Sequence, residues 1–156
     1  MRKTLIAPLM LALLLWTAVV QGADGDAILG YWKTPDGDAQ FEIYKCGPEY
    51  CGRIAQLEEP VYPPKDKDLA GLPKIDLKNP DARLRNRKLL GLTILEGFRY
   101  KGGNTWAGRI YNPEDGNTYK CRLSVAGRGE RLKVRGYLGV SLLGRTQTWT
   151  RQTKDS

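Results

Sequence analysis

The chain contains no histidine. That absence removes imidazole general acid-base catalysis, any Ser-His or Cys-His nucleophile pair and the usual ligation of zinc. Long apolar runs are missing too: the longest, residues 5–20, is interrupted by Pro8 and falls short of the roughly 20 residues that a spanning helix needs. No cysteine follows that run closely enough to accept a lipid. Internal repeats and low-complexity tracts are also lacking. The basic residues are spread along the chain without a recognisable nucleic-acid motif, so no nucleic-acid partner is expected.

What is present begins with a targeting segment. Arg2 and Lys3 precede the apolar run, and Gly22 and Ala23 follow it, the pattern of a cleaved secretory leader. Residues 1–23 are therefore read as the leader and residues 24–156 as one exported domain, periplasmic or secreted, with no transmembrane segment. Removing Arg2 and Lys3 takes the formal charge from +8 to +6, which favours anionic partners by field alone. In an envelope these are lipid head groups or acidic polysaccharide. The three cysteines suit an oxidising compartment. Cys46 and Cys51 bracket the turn Gly47-Pro48-Glu49-Tyr50 and are close enough for a disulfide clamp. Cys121 is left over on an apolar face, where a thiol behaves as a small buried hydrophobe.

Period-two alternation dominates the rest. The stretch 131–138 places Leu132, Val134 and Leu138 on one side of a strand and Arg131, Lys133, Arg135 and Tyr137 on the other. A second alternating run, 145–151, separates Arg145, Gln147, Trp149 and Arg151 from Thr146, Thr148 and Thr150. Further strands are read at 28–33, 39–45, 51–57, 92–100, 105–111 and 117–125, joined mostly by tight Gly and Asn turns. Eight short antiparallel strands of this kind predict an all-β chain, an up-and-down barrel or a sandwich. Parity assigns Phe41, Ile43, Trp106, Ile110, Tyr119, Cys121, Leu123, Leu132, Val134 and Leu138 to the interior. Such an interior is either filled by its own side chains or holds one small ligand. Outside, Lys120 and Arg122 lie opposite Arg131, Lys133 and Arg135, a basic patch on a face that is otherwise an ordinary solvated sheet surface.

Residues 58–90 break the pattern, with Pro60, Pro63, Pro64, Pro73 and Pro80 among charges. A non-periodic stretch this long inside a compact domain reads as a lid or as an excursion packed on the barrel wall. Near its end Asn79 is placed to cap a short helix that starts at Pro80. In an up-and-down barrel the 34–38 loop, the lid, the 112–116 turn and the 139–144 segment share one rim, the expected mouth. The cysteine turn lies at the opposite, closed base. Asp36, Asp38, Glu114 and Asp115 reach the mouth. Carboxylates there serve as turn formers, bind a divalent cation or act as an acid and base pair.

Gly30-Tyr31-Trp32 on the first strand with an arginine on the last resembles the lipocalin and fatty-acid-binding superfamily. There a tryptophan closes the barrel base under a late arginine. Arg151 is better placed than Arg145 to cover Trp32 by a cation-π contact. More specifically, Asn79-Pro80-Asp81, Trp106-Ala107-Gly108-Arg109-Ile110-Tyr111-Asn112-Pro113, Gly116-Asn117-Thr118-Tyr119, Leu132-Lys133-Val134-Arg135-Gly136-Tyr137 and Gly144-Arg145-Thr146-Gln147-Thr148-Trp149 resemble the bacterial exported family catalogued as domain of unknown function 2147. The resemblance implies a single eight-stranded lipocalin-like barrel with no activity to carry over. The chain departs from lipocalins in its proline-rich segment after the third strand and in having no room for the usual C-terminal helix.

Three readings follow. The first is a non-enzymatic protein, without cofactor or metal, that takes a small apolar or amphipathic ligand among Phe41, Ile43, Trp106, Ile110, Tyr119, Leu123, Val134 and Leu138. The second is an envelope module that binds anionic lipid or polysaccharide through Lys120, Arg122, Arg131, Lys133 and Arg135. The third is a carboxylate-based hydrolase built on Asp36 and Asp115.

Overall fold

The computed structural model describes residues 24–137 and 145–154. The leader assigned to residues 1–23 and the interior position assigned to Leu138 lie outside them. The strands are β1 (Gly30–Lys33), β2 (Ala39–Cys46), β3 (Glu49–Leu57), β4 (Thr93–Gly102), β5 (Thr105–Asn112), β6 (Asn117–Ala126), β7 (Arg131–Tyr137) and β8 (Arg145–Gln152). Each pairs with its neighbour in sequence, and β1 pairs with β8, so the eight antiparallel strands close into an up-and-down barrel. Closure removes both sheet edges.

Alternation decides which side chains fill the inside. Trp106 faces Leu123, and Leu123 faces Val134 across successive strands, while Leu132 faces Trp149. Trp32, Trp106, Leu95, Leu123 and Leu132 are wholly buried. The walls approach closely where no side chain intervenes: a Cβ at Gly52 would lie 2.6 Å from Leu95 and one at Gly108 would lie 2.7 Å from Phe98. These two glycines make room for large neighbours on β4.

Ile28, expected at the start of the first strand, instead ends a 3-10 turn, Asp24–Ile28, that plugs the base. Its carbonyls are wanted there: Trp106 Nε1 donates to Gly25 O at 3.0 Å and Trp32 Nε1 to Ile28 O at 2.8 Å, satisfying two buried indoles. Asp26 accepts from Tyr50 Oη and Lys45 Nζ, both at 2.8 Å. The Cys46–Cys51 disulfide clamps the adjacent β2–β3 turn.

The expected short helix is a 3-10 turn of three residues, Ala82–Leu84. Its cap is Asp81, whose carboxylate accepts from Arg83 N, because Asn79 is engaged one step earlier, accepting from Asp81 N. The proline-rich segment makes its own ribbon, with Val61 bridged to Pro73 and Ile75 to Lys88. It rejoins the barrel where Gly91 N donates to Ile54 O and Ile54 N to Leu92 O.

Candidate functional site

The interior changes character along the barrel axis. At the base every indole is spent: the Arg151 guanidinium lies 4.1 Å above the Trp32 ring centroid. The same guanidinium donates to the carbonyls of Gly129, Leu29 and Ala27 at 2.6, 2.9 and 2.7 Å. It is a nail through three chain segments. Burial holds its pKa below the ordinary arginine range, yet a guanidinium remains charged at any ordinary pH. The cation-π contact adds about 1–2 kcal/mol to the hydrogen bonds, given partial exposure.

Midway up, Phe41 and Trp149 stack with ring centroids 4.4 Å apart. Cys121 is buried at the same level of packing, and desolvation pushes its thiol up to about 12, which leaves it inert at neutral pH. Above this floor the inward positions on β5, β6 and β8 are less buried, although Leu95, opposite Ile110 on β4, is wholly buried. Ile110 and Tyr119 face one another on β5 and β6 and are half-buried, and Gln147, opposite the buried Val134, is exposed. Gln147 Oε1 accepts from Trp149 Nε1 at 2.9 Å. The Tyr119 hydroxyl donates to Asp115 in the 112–116 turn. That hydroxyl, with the Asn117 backbone amide, overcomes burial and holds the Asp115 carboxyl below its usual range.

Of the interior residues expected to line a ligand, Ile43, Trp106 and Leu123 thus lie in the packed base, and Phe41 and Val134 at mid-height. Ile110 and Tyr119 stand at the open end. Asp115 is committed to its own turn, whereas Asp36 lines a hollow of about 270 Å³ with Lys33, Gln40 and Gln56. No group of three or more metal-ligating side chains occurs among the described residues.

The proline-rich segment is fastened to the barrel wall by a carboxylate that sequence reasoning missed. Asp76 is fully buried and accepts from Tyr111 Oη at 2.6 Å, Arg87 Nη2 at 2.7 Å and Asn79 Nδ2 at 2.8 Å. Burial pushes its pKa up, but these three donors outweigh burial and hold it below the ordinary carboxylate range. Tyr111 is conversely pushed up to about 12 by burial and by Asp76. Beside this network Gly116 sits at φ +75°, and a Cβ there would overlap the Lys78 carbonyl oxygen. The segment is thus pinned to the barrel. The one signal in the sequence was an acid between apolar neighbours, Ile75-Asp76-Leu77.

The predicted basic patch maps to one wall. Arg122 lies directly opposite Arg135, with Lys133 opposite Ser124 and Arg131 opposite Ala126. Arg109 lies between Lys120 on β6 and Glu96 on β4. Strands β5 to β8 contain no aspartate or glutamate.

The comparisons with known proteins now bear on this barrel. Residues 30–151 match the family described as "uncharacterized protein conserved in bacteria (DUF2147)". The chain belongs to the DUF2147 family. A solved Helicobacter pylori protein, HP1028, described as belonging to the lipocalin family, is similar in fold at 23% identity and a TM-score of 0.66. The alignment covers 81% of this DUF2147 chain and 84% of that one. Among curated proteins none matches. At this identity the likeness speaks for the fold, so the DUF2147 chain is an all-β lipocalin-like barrel. Among its described residues no helix is long and apolar enough to cross a membrane.

Proposed function

We propose that the protein is an exported binding protein that seats a small amphipathic molecule in the mouth half of the barrel. The observation that carries this reading is the axial gradient: inward side chains are sealed at the base and accessible at Ile110, Tyr119 and Gln147. Phe41 and Trp149 form an aromatic floor, Val134 and Ile110 give apolar walls, and the Tyr119 hydroxyl and Gln147 amide ring the opening. Such a site takes the apolar body of a guest inward and leaves its polar end at the rim. Trp106, Ile43 and Leu123 support the floor from below. Membership of a bacterial family and the Cys46–Cys51 disulfide support export to an oxidising compartment.

Native mass spectrometry of protein purified from its host's envelope, with denaturing extraction of whatever accompanies it, tests the reading. A lipid or metabolite near one-to-one stoichiometry that is lost in Ile110→Trp, a substitution that fills the mouth, is the expected result. A uniformly apo mass, unchanged after incubation with envelope lipid extract, refutes it.

The carboxylate-free wall favours a second reading, an outer surface for anionic polysaccharide or lipid head groups. Like charges directly opposite one another, as Arg122 and Arg135 are, repel, and an anion bound across them would relieve part of that repulsion. Neutralising Arg122, Arg131 and Lys133 should then abolish salt-sensitive binding to anionic envelope extracts. Equal binding by that variant excludes the wall.

A further inference from the structure

Among the described residues the exposed large hydrophobic side chains are Val61, Leu72, Leu77, Leu84 and Leu90, and all five lie on the proline-rich ribbon. The barrel strands contribute none of them. A contiguous exposed apolar patch marks an interaction site, whereas singly scattered apolar side chains do not. Their placement has structure. The Val61–Pro73 and Ile75–Lys88 bridges hold the 61, 73–77 and 86–90 stretches side by side. Leu89 N donates to Lys74 O at 2.9 Å, which keeps Leu90 in register beside the same ribbon. The Asp76 network then holds the ribbon against β5, so the leucines are presented on a fixed support.

The charge around Leu77, Leu84 and Leu90 is one-sided, whereas residues 58–75, which carry Val61 and Leu72, hold four acids against three lysines. Residues 76–90 hold the cations Lys78, Arg83, Arg85, Arg87 and Lys88 against two acids. Both acids are engaged, Asp76 with Arg87 and Asp81 with Arg83, each at 2.7 Å. Beside Leu90 a shallow hollow of about 390 Å³ is lined by Arg87, Lys88, Thr93 and Glu96, with two cations facing one carboxylate. A soluble polyanion would use the cations but would gain nothing from exposed leucines. An anionic bilayer surface uses both: cations meet head-group phosphates while aliphatic side chains enter the acyl boundary.

We propose that the ribbon is a membrane-docking face that places the barrel on an anionic phospholipid surface. The proposal stands whether or not the barrel holds a guest. Leu77, Leu84 and Leu90 supply the apolar contact, and Lys78, Arg85 and Lys88 supply the attraction. Because the ribbon joins the barrel between β3 and β4 and is fastened beside the 112–116 turn, docking sets the mouth end toward the lipid.

The test is co-sedimentation of the mature protein with vesicles of phosphatidylglycerol and phosphatidylcholine, against pure phosphatidylcholine vesicles. Binding is expected to the anionic vesicles only and to weaken with salt. The Leu77→Ser, Leu84→Ser, Leu90→Ser variant should lose at least tenfold in partitioning. All three side chains are exposed, so its melting temperature should hold; if it does not fold, Leu84→Ser alone should lose about threefold. Wild-type partitioning by the folded leucine variant overturns the proposal, and so does abolition by millimolar inorganic phosphate at constant ionic strength, which would mark a soluble-anion site. A third overturning result is loss of binding on neutralising Arg122, Arg131 and Lys133 while the leucine variant still binds.

Discussion

Replacing Asp76 by alanine isolates the fastening of the ribbon to the barrel. The carboxylate accepts three side-chain hydrogen bonds, from Tyr111, Asn79 and Arg87. All three end on a charged acceptor: the bonds from the two neutral donors contribute about 1.5 kcal/mol each and the ion pair with Arg87 about 1.5–3 kcal/mol, less the cost of burying the carboxylate. Arg87 is 41% exposed and rehydrates when released, which returns part of its share. Asn79 is buried and its amide nitrogen keeps only the bond to the Tyr111 hydroxyl, so the amide hydrogen left unpaired adds about 1 kcal/mol. The expected loss is about 3–4 kcal/mol. For a domain of this size that corresponds to a fall in melting temperature of roughly 10–15 °C.

Sign and pH dependence follow from the same contacts. The folded carboxyl titrates below its unfolded value of about 3.9, so its contribution is present above that pH and is lost as pH falls through the folded value. Urea unfolding of wild type, Asp76→Ala and Asp76→Asn from pH 7 down to pH 3 measures it. The wild type should exceed Asp76→Asn at neutral pH, and the gap should narrow below about pH 4. Proteolysis of Asp76→Ala should cut first within the ribbon. A melting temperature within a degree of wild type, or a gap independent of pH, would show that the network does not hold the ribbon.

Other outcomes are expected from single contacts. Arg151→Ala should lower stability by about 3 kcal/mol in chemical denaturation, since three carbonyls lose a donor and Trp32 its cation, while Arg151→Lys should recover only part. Gly108→Ala should cost about 1–3 kcal/mol, because the new methyl would meet the Phe98 ring. Replacing Cys46 and Cys51 by serine should cost about 2 kcal/mol, the chain entropy of so short a loop, with the barrel still folded by circular dichroism. Cys121 should resist thiol reagents in the native state and react once denaturant is added, a native-state reaction being the contrary result.

Strand positions were legible because barrel walls have two different faces, and period two records that difference residue by residue. Leu132, Val134, Leu123 and Trp106 could be assigned inward from parity alone, and all four are buried. Trp149 and Gln147 shared one face in the sequence, but only the register with Leu132 and Val134 shows that this face is inward. The plug was not legible. Its role lies in backbone carbonyls of Gly25 and Ile28 meeting two distant indoles, and carbonyls carry no sequence signature. Asp76 was hidden for a related reason: its partners come from three places in the chain, and an isolated acid in a proline-rich stretch looks like any solvated charge. Asn79 reads as a cap in the sequence, yet the tertiary pull of Asp76 and Tyr111 reassigns it.

The Arg151 guanidinium reaches Ala27 and Leu29 across 124 and 122 residues of chain. Such a closure has an order in time. The plug and β1 emerge early in synthesis, but the donor that locks them is made near the last strand, and loop-closure entropy delays contacts of this range. The nascent chain therefore stays an open sheet with two unpaired edges until β8 arrives, and only then becomes a sealed container. A truncation between β7 and β8 leaves a polypeptide with most of its hairpins and no lock, an open-edged species prone to pair with its own copies.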